Sequence, residues 1–231
     1  MPDPALSLII PVGPDETSTP RLLESLNSNK IDIPSSWERI IASVQQNSSI
    51  DPPKDWRKVH CKVGRGRQLN QAAAIANGDW LWFIHADSLP DSAAVTGIEK
   101  FVESQDASSQ NEVIGYCSLA FDSDGPAQTF LNAIGANIRS HLLGLPYGDQ
   151  GYCISVKTFK ALGGFREDLD RGEDLDFLVR AKHAGVTVRS VGGTILTSAR
   201  RYQSQGWLKT TLAHQAAAAR IIRAARASAE N

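Results

Sequence analysis

Residues 64–88 read GRGRQLNQAAAIANGDWLWFIHADS. Leu69, Ala72, Ala73 and Ala76 recur at i, i+3, i+4 and i+7, which predicts a helix closed by Gly78. The apolar run Trp80–Ile84 that follows predicts a buried strand. A helix delivered straight into a buried strand is half of a crossover unit, so the rest of that unit should lie upstream. It does: Ala5–Val12 (ALSLIIPV) is a continuous apolar run suited to a strand covered on both faces. Thr19 and Pro20 open a helix carrying Leu22, Leu23 and Leu26, and RIIASV at 39–44 is a second short strand. The order β-α-β-α-β over the first 85 or so residues predicts an open, mostly parallel α/β sheet, whose ligands gather at the carboxyl ends of the strands.

The strand at 80–84 ends on His85 and Asp87. If the chain stays extended, side chains two residues apart share a face, so the two would converge on one ligand, a cation or a metal-bound phosphate. The alternative is a satisfied core histidine followed by an aspartate that starts a turn. Just before the helix, GRGR combines flexible backbone, two guanidinium groups at Arg65 and Arg67, and free helix N–H groups. That chemistry suits an anion such as a diphosphate. It matches neither a P-loop nor a G-x-G-x-x-G turn, and a Gly/Arg loop is also an ordinary solvated turn.

Downstream, strands are expected at IGYCSLAF (114–121), GYCISV (151–156), VTVRSV (186–191) and TILTSA (194–199). Helices are expected through AQTFLNAIGANIRSHLLG, FKALGGF and EDLDFLVRAKHAG, with an Ala-rich helical tail from about 207 to 231. Glu173 and Asp174 fall in the first turn of a helix, where acids stabilise the macrodipole whether or not they do anything else. Arg220, Arg223 and Arg226 in the tail read as a solvated face, and membrane contact is not favoured on that evidence.

Composition narrows the function classes. Of 231 residues, 42% are hydrophobic and 21% charged, as in an ordinary globular protein, and the length suits a single domain spanning 1–231. A formal net charge of -1 supplies no overall field for nucleic acid. Cys61, Cys117 and Cys153 are odd in number and lack zinc spacing. No stretch has the length of a membrane span or the pattern of a leader. A cytoplasmic protein is expected.

Taken in order, LSLIIPV, GRGRQLNQAAAIANGDWLWFIHADS, PYGDQGYCIS, LGGF, GEDLDFLVRAKHAG and TSARRYQSQGW resemble glycosyltransferase family 2, and among its members the small single-domain bacterial ones. The resemblance covers residues 6 to about 212. It implies a GT-A type, Rossmann-like three-layer sandwich and an inverting transfer of sugar from a nucleotide-diphosphate sugar to an acceptor hydroxyl. His85–Asp87 then occupies the family's D-x-D position, with Asp87 as metal carboxylate and His85 in place of the first aspartate. Arg65, Arg67 and Asn70 fall on the donor diphosphate, Pro11 on the base pocket, and Arg200 and Arg201 on the departing diphosphate. Asp174 matches the general base with Glu173 beside it, and Asp149 and Gln150 face the acceptor. A divalent cation is implied, with manganese expected over magnesium because an imidazole suits it better. Where relatives read the base with an aspartate, this chain has Ser43 and Gln45. The competing readings are a nucleotidyltransferase and an inactive relative that only binds a sugar nucleotide.

Overall fold

The computed structural model describes residues 5–14, 16–27, 31–44, 52–105 and 112–229. Gln45 lies outside them. Among the described residues, eight strands form one sheet in the order β3-β2-β1-β4-β7-β6-β8-β5. They are β1 (Leu6–Val12), β2 (Glu38–Val44), β3 (Arg57–Cys61), β4 (Trp80–Phe83), β5 (Ser88–Pro90), β6 (Val113–Phe121), β7 (Tyr152–Ser155) and β8 (Thr187–Thr197). β3, β2, β1 and β4 run parallel, as do β6 and β8. β7 is antiparallel to both β4 and β6, and β5 is antiparallel to β8.

The helices are α1 (Thr19–Asn27), α2 (Arg65–Ile75), α3 (Ser92–Glu103), α4 (Thr129–Leu143), α5 (Val156–Ala161), α6 (Glu173–His183), α7 (Arg200–Gln205) and α8 (Trp207–Ala229). All seven residues of β1 are buried, and alternate ones serve different faces of the sheet. Leu6, Leu8, Ile10 and Val12 pack with Leu22, Leu23 and Leu26 of α1 and with Val95, Ile98 and Phe101 of α3. Ile9 points the other way, into a core with Leu69 and Ala72 of α2, Phe159 of α5 and Phe177 and Leu178 of α6. A strand covered on both faces has no polar face to show, which is why the sequence of β1 is apolar without alternation.

Four local expectations change. RKVHC at 57–61 is a strand, and SAAVTGIEKFVE at 92–103 is a helix capped by the Asp91 carboxylate, which accepts from the Ala94 N–H. β3 is an edge strand whose residues are mostly part-exposed, so its alternation is weak, whereas α3 carries a clear helical pattern that the sequence reading passed over. VTVRSV and TILTSA are one continuous strand, β8, which takes up an irregular step against β6 between Tyr116 and Ser118. Helix α2 ends at Ile75, and Ala76 is already extended, so Gly78 does not cap it. Gly78 is needed for another reason. A Cβ there would lie 2.6 Å from the Leu6 carbonyl carbon and the Ser7 nitrogen, so only glycine lets the chain pass β1 on its way into β4.

The tail is integral to the fold. Ala218 and Ala225 of α8 pack on Leu175 and Val179 of α6, with Ile221 and Ile222 beside them.

Candidate active site

A cleft of about 1050 Å³ opens at the carboxyl ends of β1 and β4. Pro11 and Gly13 line it from the end of β1, and His85 and Asp87 from the turn after β4. Arg65 and Gln68 come from the start of α2, Asp174 from the start of α6, Arg200 and Arg201 from α7, and His214, Ala217 and Arg220 from α8. A smaller hollow of about 430 Å³ between Asp32–Ser36 and α3 contains none of the motif residues.

The deepest part is an ionic cluster. Arg65 Nε donates to Glu173 Oε1, and Arg65 Nη2 lies 3.6 Å from Asp174 Oδ1. Glu173 is 1% exposed, and its second oxygen has no hydrogen-bond partner among the described residues. Asp174 Oδ2 accepts from the Gly148 N–H at 2.6 Å. Burial by itself would raise the Asp174 pKa, but the charge of Arg65, helped by the backbone N–H donors of Gly148 and Leu175, outweighs it and holds the carboxyl below its usual value. Burial raises the Glu173 pKa, and Arg65 offsets only part of that. Asp174 is therefore the more firmly ionised of the two. For Arg65, burial acts to lower the pKa, and the charges of Asp174 and Glu173 reverse it.

Gly148 explains the PYGDQG segment. A Cβ at this position would sit 2.6 Å from Asp174 Oδ2 and 2.9 Å from His85 Nε2, so the backbone must come in bare to reach the carboxylate. Next to it, Asp149 is pushed up to about 6, first by burial and then by the charge of Asp174. Its Oδ1 has no hydrogen-bond partner among the described residues.

His85 and Asp87 do not share an extended face. β4 ends at Phe83, and residues 85–88 form a turn closed by the Ser88 N–H to the His85 carbonyl at 3.1 Å. The imidazole therefore faces Gly148 and Asp174. Burial first, and then the charge of Arg65, lower its pKa to about 3, so it is neutral at neutral pH. The Asp87 carboxylate faces Glu16 and Arg200. Burial and the Glu16 charge raise its pKa, while Arg200 acts against them. Arg200 Nη2 lies 2.8 Å from Glu16 Oε2 and 4.0 Å from Asp87 Oδ2, a single cation between two carboxylates. Arg201 lines the same wall, its backbone carbonyl accepting from Ser204 Oγ at 3.3 Å.

Four sequence-predicted residues lie outside the cleft walls: Glu173, buried behind Arg65, and Arg67, Asn70 and Gln150. Arg67 is exposed, 3.7 Å from Glu167. Asn70 clasps the Phe165 backbone, donating to its carbonyl at 2.8 Å and accepting its N–H at 2.9 Å, and so fastens the GGF turn to α2. Gln150 is fully buried and bonded to Ser140 Oγ and the Cys117 carbonyl. Ser43 is buried at the end of β2. Sequence reasoning missed Glu16 and Gln68, whose amide ties the Val12 and Ala42 carbonyls at 2.9 and 2.6 Å. It also missed the cleft-lining role of α8, which no local pattern announces.

No family model matches the sequence, and no curated protein does. Among solved structures the chain is similar to S. aureus TarS 1-349, with a TM-score of 0.60 and 16% identity, over 84% of this chain and 60% of that one. That protein has also been solved in complex with UDP-GlcNAc. A second similar structure is the mannosyltransferase PcManGT from Pyrobaculum calidifontis in complex with GDP-Man and Mn2+. Its TM-score is 0.57 at 17% identity, over 84% of this chain and 58% of that one. The fold is of the GT-A type. This chain spans less than two thirds of the length of either GT-A neighbour. At such identities the likeness is one of architecture.

Proposed function

We propose that the cleft binds a nucleotide-diphosphate sugar and transfers its sugar, with inversion, to an acceptor hydroxyl. What carries this function is one convergence. Asp174, Arg65, His85, Asp87, Arg200 and Arg201 come from four separate stretches of sequence and meet at the carboxyl end of the sheet, where open α/β folds bind their ligands. The fold shared with structures solved with UDP-GlcNAc and with GDP-Man supports the same donor class.

In this scheme Asp174 accepts the proton of the acceptor hydroxyl. Oδ2 is held by the Gly148 N–H, which leaves Oδ1 as the basic atom. As that proton leaves, the acceptor oxygen attacks the anomeric carbon, and the bond from that carbon to the diphosphate breaks on the opposite face. The leaving diphosphate takes the electron pair, and Arg201, with Arg200, stands on the wall to meet the charge. Arg65 is a positioning residue here, since its guanidinium is committed to Glu173 and Asp174 and keeps the base ionised.

Among the described residues no three His, Cys, Asp or Glu side chains are grouped to cage a metal. The donor set nevertheless fits a cation shared with the donor. Asp87 and Glu16 face each other across a positive group, and Asp87 remains 29% exposed toward the cleft. Asp87, with Glu16 across Arg200 from it, would hold it against diphosphate oxygens. Such an ion would neutralise charge on the leaving group, and manganese is favoured over magnesium if the imidazole takes part.

The test is a thermal-shift panel of UDP- and GDP-sugars with and without manganese, followed by product analysis. A donor at about 100 times its Kd should stabilise the fold by about 2.7 kcal/mol, and slow release of free sugar should accompany binding. Silence across the panel sinks the proposal. Pyrophosphate release would point to a nucleotidyltransferase, and binding without turnover to an inactive sugar-nucleotide binder.

A further inference from the structure

Helix α4 is built inside out. Its buried positions are small or polar, Thr129, Ala133, Ala136 and Ser140. Its large apolar side chains point outward: Phe130, Leu131, Ile134, Ile138, Leu142 and Leu143 are 49–77% exposed. At about 100° per residue, Phe130, Ile134, Ile138, Leu131 and Leu142 fall within an arc of roughly 120°, the stripe that a globular helix ordinarily turns to the core. Contiguous exposed patches of this kind mark interaction surfaces.

The patch continues onto α8. Asn132 accepts from Trp207 Nε1 at 2.5 Å and donates to Thr211 Oγ1 at 3.0 Å, which fastens the start of α8 beside α4. There α8 adds Leu208 and Leu212, 60% and 57% exposed, with Lys209 exposed between them. Neither helix carries a carboxylate. Indeed, from Phe177 to Ala229 the chain has nine cationic residues (Arg180, Lys182, Arg189, Arg200, Arg201, Lys209, Arg220, Arg223 and Arg226) and no Asp or Glu, although its formal net charge is -1.

We propose that α4 and the first turns of α8 form a docking face for an anionic lipid surface. The apolar stripe sits at the boundary between headgroups and acyl chains, and Lys209 and the α8 arginines meet lipid phosphates. Charge decides among the occupants. A second copy of this chain would bring one cationic α8 toward another, and a purely apolar partner would leave the cations unmatched. An anionic bilayer satisfies both features. No helix among the described residues is long and apolar enough to cross a membrane, so the face lies on the surface rather than spanning it. The tail arginines alone gave no reason to favour a membrane, and the apolar half of the signal comes from α4. Because α8 also walls the cleft through His214, Ala217 and Arg220, docking sets the cleft beside the bilayer. The inference is independent of the reaction proposed above.

The experiment is vesicle co-sedimentation of the full chain, with phosphatidylcholine alone and with phosphatidylcholine mixed with phosphatidylglycerol, at low and high salt. Partitioning onto the anionic vesicles should be at least about tenfold stronger, and high salt should largely abolish the difference. Lys209→Glu should weaken it by about tenfold or more, as should Ile138→Asp with Leu142→Asp. All these positions are solvent-exposed, so melting temperatures should hold. If the aspartate pair lowers them, Ile138→Ser with Leu142→Ser provides the same readout. Equal or absent partitioning on the two vesicles overturns the proposal, as does binding that ignores the α4 changes. A dimer seen by light scattering and dissolved by Ile138→Asp, without lipid binding, would reassign the face to a second copy.

Discussion

Replacing Arg65 with alanine should cost stability before it costs anything else. Its guanidinium is the hydrogen-bonded counter-charge of Glu173, a carboxylate that is 1% exposed and whose other oxygen already lacks a partner among the described residues. Breaking a buried pair from one side typically costs about 3–5 kcal/mol. Protonation of Glu173 sets a ceiling: neutralising a carboxyl of ordinary pKa at neutral pH costs about 3.7 kcal/mol, so the loss should fall between about 3 and 3.7 kcal/mol. The 37% exposure of Arg65 puts it toward the lower end. That is a large share of the roughly 5–15 kcal/mol that holds a typical domain together. The same ceiling falls with pH, to about 1 kcal/mol near pH 5, where the orphaned carboxyl protonates cheaply. Urea unfolding at both pH values, with m unchanged, measures this directly. Arg65→Met combined with Glu173→Gln should recover most of the loss, since no uncompensated charge remains. Arg67→Ala, at an exposed position, should stay within about 0.5 kcal/mol. A loss below about 1 kcal/mol for Arg65→Ala, or an equal loss at both pH values, would refute the reasoning.

Three further outcomes are expected. Asp174→Asn keeps the Gly148 contact but cannot take a proton, so donor-induced thermal shifts should persist while sugar transfer falls by about 10²- to 10⁴-fold; near-normal transfer would exclude Asp174 as base. Asp87→Ala should abolish metal-stimulated turnover, whereas His85→Ala, which removes a neutral group, should cost about 10- to 100-fold; His85→Asp should shift the manganese-to-magnesium activity ratio toward magnesium, and an unchanged ratio would remove His85 from the metal. Asp149, raised in the folded protein to about 6, contributes stability that is complete below about pH 4 and is lost as pH rises through 6. Asp149→Asn should therefore flatten the profile of unfolding free energy between pH 4.5 and 7.5 relative to the parent, by about 1–2 kcal/mol once partial solvent exposure is allowed for; superimposable profiles would deny the shift.

What the sequence determined by itself was the layered fold and the strand ends and helix starts that line one side of the cleft. β1 is apolar at every position but Ser7 because both of its faces are covered, and α2 shows helical spacing because one of its faces is buried. These are local consequences of burial, and a one-dimensional pattern records them. The cleft residues Asp174, Asp87, Arg200 and Arg201 were legible through the ordered motifs that carry the family resemblance, since acids at a helix start are ordinary by themselves. Partnership was not legible. Arg65 and Arg67 are two residues apart in the same glycine-rich stretch, yet one is locked to a buried glutamate 108 positions away and the other is in solvent. Only the meeting of α2 with α6 decides between them. The same holds for His85, whose direction follows from a turn that replaces the expected extended strand. It holds for Asn70 and Gln150, polar residues absorbed by backbone groups that approach only in three dimensions. Helix α4 is the clearest case. Its periodicity announces an apolar stripe, but which side of a helix meets the sheet is settled by how closely the backbones approach, and there the small residues Ala133, Ala136 and Ser140 prevail.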